Sequence, residues 1–237
     1  MSGQVFEISA TQLGELSQRW TCPRCFWLRS RLKGQLPYQQ FPAVFSHIDR
    51  FSKDLIKQSF DRGELPEWIK VHGDFRETLP IPGHQKFKAL DHESGVLLGG
   101  VPDALWVSDD GDLTIVDWKT SRVSEGELKK WESYVTQLNA YAWIAERQTS
   151  LQLPPVKRLA LLYTEPLSLN EADEEVEHHN GFVLPFKTVW KEVELEPGRV
   201  EKLLLKAKKI LTAEGPPKSM RNCFECGKVE KMRGLLC

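Results

Sequence analysis

Three side chains in the middle of the chain, Asp103, Asp117 and Lys119, have the types and spacing for hydrolytic chemistry. Asp103 ends the run Gly99-Gly100-Val101-Pro102-Asp103, and the other two lie in Val116-Asp117-Trp118-Lys119. Alternate residues of a strand share a face, so Asp117 and Lys119 point the same way, roughly 6.5 Å apart, beyond the apolar Leu113 and Ile115. An unpaired buried charge costs several kcal/mol, so charges that end an apolar face need a partner or a metal. Two carboxylates converging on a strand end suit Mg²⁺ or Mn²⁺. Such an ion polarises a phosphodiester and acidifies a bound water, while a neighbouring ammonium holds that water or meets the charge developing on phosphorus.

Whether the carboxylates converge depends on the turn Asp109-Asp110-Gly111. A three-residue loop with Gly111 in the left-handed conformation pairs 108 with 112, 105 with 115 and 103 with 117, and puts both aspartates on one face. A two-residue Asp110-Gly111 loop pairs 104 with 117 and sends Asp103 to the far face.

Four of the five cysteines form a second constellation, Cys22-x2-Cys25 and Cys223-x2-Cys226, with Cys237 at the chain end. Two such pairs read as a four-thiolate zinc site that ties the terminal segments, 1–35 and 216–237, together.

The elements around the aspartates follow from periodicity. Ser9 caps a helix from about Thr11 to Leu32, interrupted at Cys22-Pro23-Arg24-Cys25. Pro42 opens a helix to about Phe60, with Phe45, Ile48, Phe51 or Ser52, and Leu55 or Ile56 expected to face a core. One strand is expected near Asp74 to Leu79. Lys86 to Leu90, Val96 to Ser108 and Asp112 to Thr120 read as three strands. Glu127 to Gln148 is the clearest helix, and Val156 to Thr164 a buried strand beyond it, which makes an α/β unit. Residues 165 to 180 are a polar excursion, Phe182 to Phe186 and Val189 to Leu195 are peripheral strands, and Pro197 starts a last helix that stops at Gly215. Pro216 to Cys237 shows little periodicity. The expected fold is therefore α/β, with a central mixed sheet flanked by helices and a cysteine-bearing cap from both termini.

With 237 residues, 41% hydrophobic and 27% charged, the chain has globular composition and the length for one domain, 1–237. A net charge of -1 selects no partner by itself. No run approaches the roughly 20 apolar residues that span a bilayer, and no secretory signal is visible, so the expectation is a cytoplasmic protein without a membrane partner. Candidate contacts to a nucleic-acid backbone are Trp118, Arg122, Lys129, Lys130 and the helix edge Lys202, Lys206, Lys208 and Lys209, with Trp131 and Trp143 as stacking or core residues.

Pro102-Asp103, thirteen residues, then Asp117-x-Lys119, followed by a long helix, resembles the PD-(D/E)XK nuclease superfamily. Gln137-x3-Tyr141 on that helix resembles the RecB-like branch, which includes AddB-type nucleases and CRISPR adaptation-associated RecB-like exonucleases. The resemblance implies a restriction-endonuclease-like core at about 42–165. It also implies a Mg²⁺- or Mn²⁺-dependent deoxyribonuclease in which Asp103 and Asp117 bind metal, Lys119 is catalytic, and Gln137 and Tyr141 support substrate. Such enzymes also use a histidine from an earlier helix as a metal ligand. His47 matches it, with Asp49 as the alternative. The resemblance further offers a [4Fe-4S] cluster on Cys22, Cys223 and Cys226, completed by Cys25 or Cys237, beside the zinc reading. The partner would be nucleic acid, most simply DNA, with a helicase or recombination protein, in repair, recombination or defence. Two other readings are a catalytically inactive nucleic-acid-binding or assembly module on the same fold and a hydrolase of small phosphoesters.

Overall fold

The computed structural model describes residues 5–32, 42–172 and 177–236, so Cys237 lies outside the described residues. In chain order the first half forms β1 (Phe6–Ser9), α1 (Ala10–Ser17), α2 (Pro23–Arg31), α3 (Ala43–Arg62), α4 (Glu67–Lys70), β2 (Phe75–Thr78), β3 (Lys88–Asp91), β4 (Val96–Gly99), β5 (Ala104–Ser108) and β6 (Leu113–Lys119). The second half forms α5 (Glu125–Leu128), α6 (Trp131–Arg147), β7 (Val156–Pro166), β8 (Glu177–His178), β9 (Gly181–Phe182), β10 (Phe186–Val193), α7 (Arg199–Leu211) and α8 (Phe224–Leu236).

Local chemistry accounts for the helix starts. Ser9 forms a capping box: its hydroxyl accepts the Gln12 amide, and its own amide donates to the Gln12 side chain at 2.8 Å. Pro23 stands in the first turn of α2 and Pro42 at the N-cap of α3, where a missing amide costs nothing.

Five strands form a mixed sheet in the order β10-β7-β6-β5-β2. Strands β6 and β7 run parallel, with Ile115 opposite Leu159 and Asp117 opposite Leu161, and α5 and α6 make the crossover. Alternation gives the sheet two apolar faces. Leu105, Leu113, Ile115, Leu159 and Leu161 meet Leu13 of α1, Leu138 of α6 and Leu204 of α7 in the larger core. Trp106, Val116, Trp118 and Leu162 point the other way, onto Ile56 of α3 and Ile69 of α4. A mixed sheet flanked by helices on both faces is the arrangement expected of a restriction-endonuclease-like core. A second sheet, β1-β4-β3, packs its Ile8, Val96 and Leu98 into the larger core.

Several expectations change. The expected strand Val96 to Ser108 is two strands in two sheets, broken at Gly100–Asp103. The apolar stripe of α3 faces a core only in its second half: Ile56 is 3% exposed, whereas Phe51 is 70% and Leu55 44% exposed. Phe51 and Leu55, with Trp118, Leu184 and Phe186, instead line an open groove of about 1090 Å³. Segment 216–237, expected to be irregular, contains α8, and β1 had no sequence expectation.

Candidate active site

The β5–β6 turn takes the three-residue form. Ser108 donates its amide to Asp112 at 3.0 Å, the Gly111 amide returns to Ser108 at 2.9 Å, and Gly111 has φ +85°, which glycine adopts without steric cost. Val107 then faces Leu113, Leu105 faces Ile115 and Ala104 faces Val116. One step further along this register, Asp103 stands across from Asp117. The two are also linked through the backbone, since Asp103 Oδ2 accepts the Trp118 amide at 2.7 Å.

Asp117 is 3% exposed, and its two oxygens have different surroundings. Oδ1 accepts Gln137 Nε2 at 3.1 Å, and Oδ2 lies 2.5 Å from Lys119 Nζ. Oδ2 is buried, and this ammonium is its partner. Burial pushes the Asp117 carboxyl up to about 6; Lys119 opposes the rise and Asp103 adds to it. The amide of Gln137 also reaches the Tyr141 hydroxyl at 2.9 Å, and its carbonyl stands 3.5 Å from Lys119 Nζ. Gln137 and Tyr141 are one helical turn apart, which is why α6 can present both to the strand end. Lys119 Nζ also sits 4.5 Å from the centre of the Tyr134 ring, whose hydroxyl donates to Glu127. The site thus brings together Asp103, Asp117, Lys119, Gln137 and Tyr141.

Helix α3 contributes a residue the sequence reading missed. Lys53 Nζ donates to Asp103 Oδ1 at 2.7 Å and to Asp49 Oδ2 at 2.8 Å. The i,i+4 spacing of Asp49 and Lys53 was visible, but it reads as an ordinary surface pair. The contact with Asp103 spans 50 residues and has no sequence signature. His47 is exposed on α3 and lines the groove.

The donor set fits a hard divalent ion. The carboxylates of Asp103 and Asp117 stand at one strand end beside the ammonium groups of Lys53 and Lys119, which offset their charge. Carboxylate oxygens are the donors that Mg²⁺ and Mn²⁺ prefer.

A second cluster lies where the two ends of the chain meet. Cys22, Cys25, Cys223 and Cys226 place their sulfurs within 4.8 Å of one another; Cys25 is 3.5 Å from both Cys223 and Cys226, and Cys22 is 3.7 Å from Cys226. Burial works against ionisation of Cys22, but the Met220 amide at 3.3 Å and the neighbouring thiols bring it down to about 7. Burial and the same neighbours push Cys25 and Cys226 up. Four cysteines at this spacing could hold a metal ion, which would bind them as thiolates.

The expected phosphate contacts are mostly occupied. Lys206 donates to the Leu16 carbonyl, Lys208 to that of Glu93, Lys130 pairs with Glu127 and Arg122 with Glu171. Trp118 is 5% exposed in the second core, and Trp143 is buried with its indole N–H on Glu201.

The chain matches the PD-(D/E)XK nuclease superfamily over residues 46–228, and it belongs to that superfamily. Members generally hydrolyse phosphodiester bonds with divalent metals, the chemistry for which the donor set here is suited. Among solved structures, one titled "Crystal structure of SSO0001" is similar at a TM-score of 0.45 and 14% identity, over 92% of this chain and 82% of its own. No curated protein matches the chain. Among the described residues, no helix is long and apolar enough to cross a membrane.

Proposed function

We propose that the protein is a Mg²⁺- or Mn²⁺-dependent nuclease of the RecB-like branch that hydrolyses DNA phosphodiester bonds. The observation that carries this reading is the convergence at one strand end of Asp103, the buried Asp117, and Lys119 2.5 Å from Asp117, with Gln137 bonded to the aspartate. A bound divalent ion would polarise the phosphodiester and supply an acidified water. Asp103 and Asp117 hold that ion. Lys119 orients the attacking water or meets the negative charge building on phosphorus. Gln137 fixes Asp117 and Lys119 relative to each other, and Tyr141 braces Gln137. The Gln137–Tyr141 pair supports the RecB-like assignment. A helicase or recombination protein is the fitting partner, in repair, recombination or defence.

For the cysteine cluster we propose zinc. With Zn–S at about 2.3 Å, tetrahedral ligands lie about 3.8 Å apart, close to the 3.5–3.7 Å sulfur contacts here. A [4Fe-4S] cage attaches each thiolate to a different iron and sets the sulfurs wider apart.

The decisive assay is degradation of single- and double-stranded DNA, with RNA in parallel, in Mg²⁺, Mn²⁺ or chelator. Wild type should cleave only with metal, and Lys119→Ala should lose about 10²–10³ in rate, the scale of one transition-state charge contact. Equal behaviour of wild type and variant refutes the catalytic assignment.

A further inference from the structure

Three side chains of α6 reach the strand end, and the proposed reaction uses two of them. Tyr134, Gln137 and Tyr141 stand at i, i+3 and i+7, so one stripe of the helix carries all three. Tyr134 turns its ring to Lys119, whose Nζ lies 4.5 Å from the ring centre. The far end of the same ring is anchored, since its hydroxyl donates to Oε1 of Glu127.

The anchor is itself held. Glu127 is 8% exposed, its amide donates to the Ser124 hydroxyl at 3.3 Å in the cap of α5, and its Oε2 accepts Lys130 Nζ at 3.0 Å. Burial pushes the Glu127 carboxyl up, but the Tyr134 hydroxyl and Lys130 outweigh it and hold the group below its ordinary value. Glu127 is therefore a carboxylate at neutral pH, and a phenol that donates to it keeps one orientation. Burial and the same carboxylate push the Tyr134 hydroxyl well above the usual phenol range, so it serves as a fixed donor.

A lysine has a long flexible stem, yet its ammonium must stand in one place to act on a water or on a developing phosphoryl charge. Three neighbours restrain Lys119: the Asp117 carboxylate at 2.5 Å, the Gln137 carbonyl at 3.5 Å and the Tyr134 ring. Asp117 is shared with the metal in the proposed reaction, and the Gln137 contact is at the long limit of a hydrogen bond. The ring face attracts the charge through its quadrupole and adds no further carboxylate to neutralise it.

We propose that Tyr134 is a positioning residue for Lys119: its ring, pinned by Glu127, is the surface against which the ammonium rests, and it sets where that charge stands beside Asp117. The proposal rests on Lys119 being the catalytic lysine of the proposed nuclease.

The test takes two measurements on the full chain. The first is the ¹³C-lysine spectrum without metal or nucleic acid, in which the Lys119 ε-methylene is the signal that Lys119→Ala removes. Tyr134→Leu and Tyr134→Met both take away the ring, so the outcome does not hang on one variant folding, which circular dichroism checks. The Lys119 signal should lie upfield, in the ring current, in wild type and Tyr134→Phe, and should move downfield in both ringless variants. The second measurement is steady-state DNA cleavage. The ringless variants should lose about tenfold in kcat with KM within about twofold, as for one cation–π contact to a charge used in the transition state. Tyr134→Phe keeps the ring face and should retain kcat within about threefold. An unmoved Lys119 signal, wild-type kcat in the ringless variants, a change in KM alone, or an equal loss in Tyr134→Phe overturns the proposal and leaves the nuclease reading standing. A wild type without metal-dependent cleavage takes down the nuclease reading and this proposal together.

Discussion

Gln137 touches Asp117, Lys119 and Tyr141 at once, so its amide is the joint between α6 and β6. Gln137→Ala leaves a 3%-exposed carboxylate without the donor to its Oδ1. Losing a partner to a buried charged group costs about 1–3 kcal/mol, so the variant should melt lower and cleave DNA at least about tenfold more slowly. Tyr141→Phe removes only the bond behind Gln137 and should cost about 1 kcal/mol in the same unfolding measurement. Gly100 has a steric role nearby: a Cβ there would stand 2.6 Å from Tyr141 Cε1 and 3.3 Å from Ala10 Cβ, whereas at Gly99 the nearest atom is 3.4 Å away. Gly100→Ala should therefore destabilise by about 1–3 kcal/mol through overpacking, and Gly99→Ala by much less, read by thermal unfolding of the two variants.

The β5–β6 hairpin is the element on which the site depends, because a one-residue slip would turn Asp103 away from Asp117. Gly111, at φ +85° with nothing within 4 Å of where a Cβ would stand, isolates the backbone cost of the turn. Gly111→Ala should lower stability by roughly 1 kcal/mol without any clash, and a chemical denaturation midpoint would show it. Deleting Asp109 leaves a two-residue Asp110-Gly111 loop that still joins Ser108 to Asp112, so Asp103 keeps its place across from Asp117. That variant should keep metal-dependent cleavage and its far-ultraviolet circular dichroism, and loss of cleavage with the fold intact would show that the site needs the three-residue turn. Helix α3 contributes on the opposite principle, through one long side chain rather than through its apolar stripe. Its buried residues, Ile56 and Ser59, lie in its second half, and the Lys53–Asp103 ion pair ties the middle of the helix to the site.

At the scale of the whole molecule, α8 has little apolar surface to hold it in place. Cys226 is its one buried side chain among the described residues, and the Arg24–Glu230 pair to α2 is exposed enough to add little. The position of α8 is thus set by the thiol cluster that joins it to α2. Elemental analysis should find about one zinc per chain in a colourless protein, as expected for a four-thiolate site. Removing the metal with a chelator, or Cys226→Ser, should lower the melting temperature and raise hydrogen exchange in Phe224–Leu236 first, with β6 still protected. A brown protein containing iron would overturn the zinc assignment.

The sequence by itself determined what local rules control. Turn residues and alternation narrowed the hairpin to two registers, helical spacing placed Gln137 and Tyr141 one turn apart, and the matched cysteine pairs marked a candidate metal site. Only the tertiary structure chose the register with Asp103 across from Asp117, because both turns are chemically reasonable and the choice depends on which faces the sheet buries. It also split Val96 to Ser108 between two sheets, since a run of strand-forming residues does not say which neighbour will pair with it. Apolar periodicity in α3 showed a stripe but not what covers it, and half of that stripe faces an open groove. Lys53 was illegible for the same reason. An ion pair across 50 residues depends on where two elements meet in space, and no local pattern encodes that meeting.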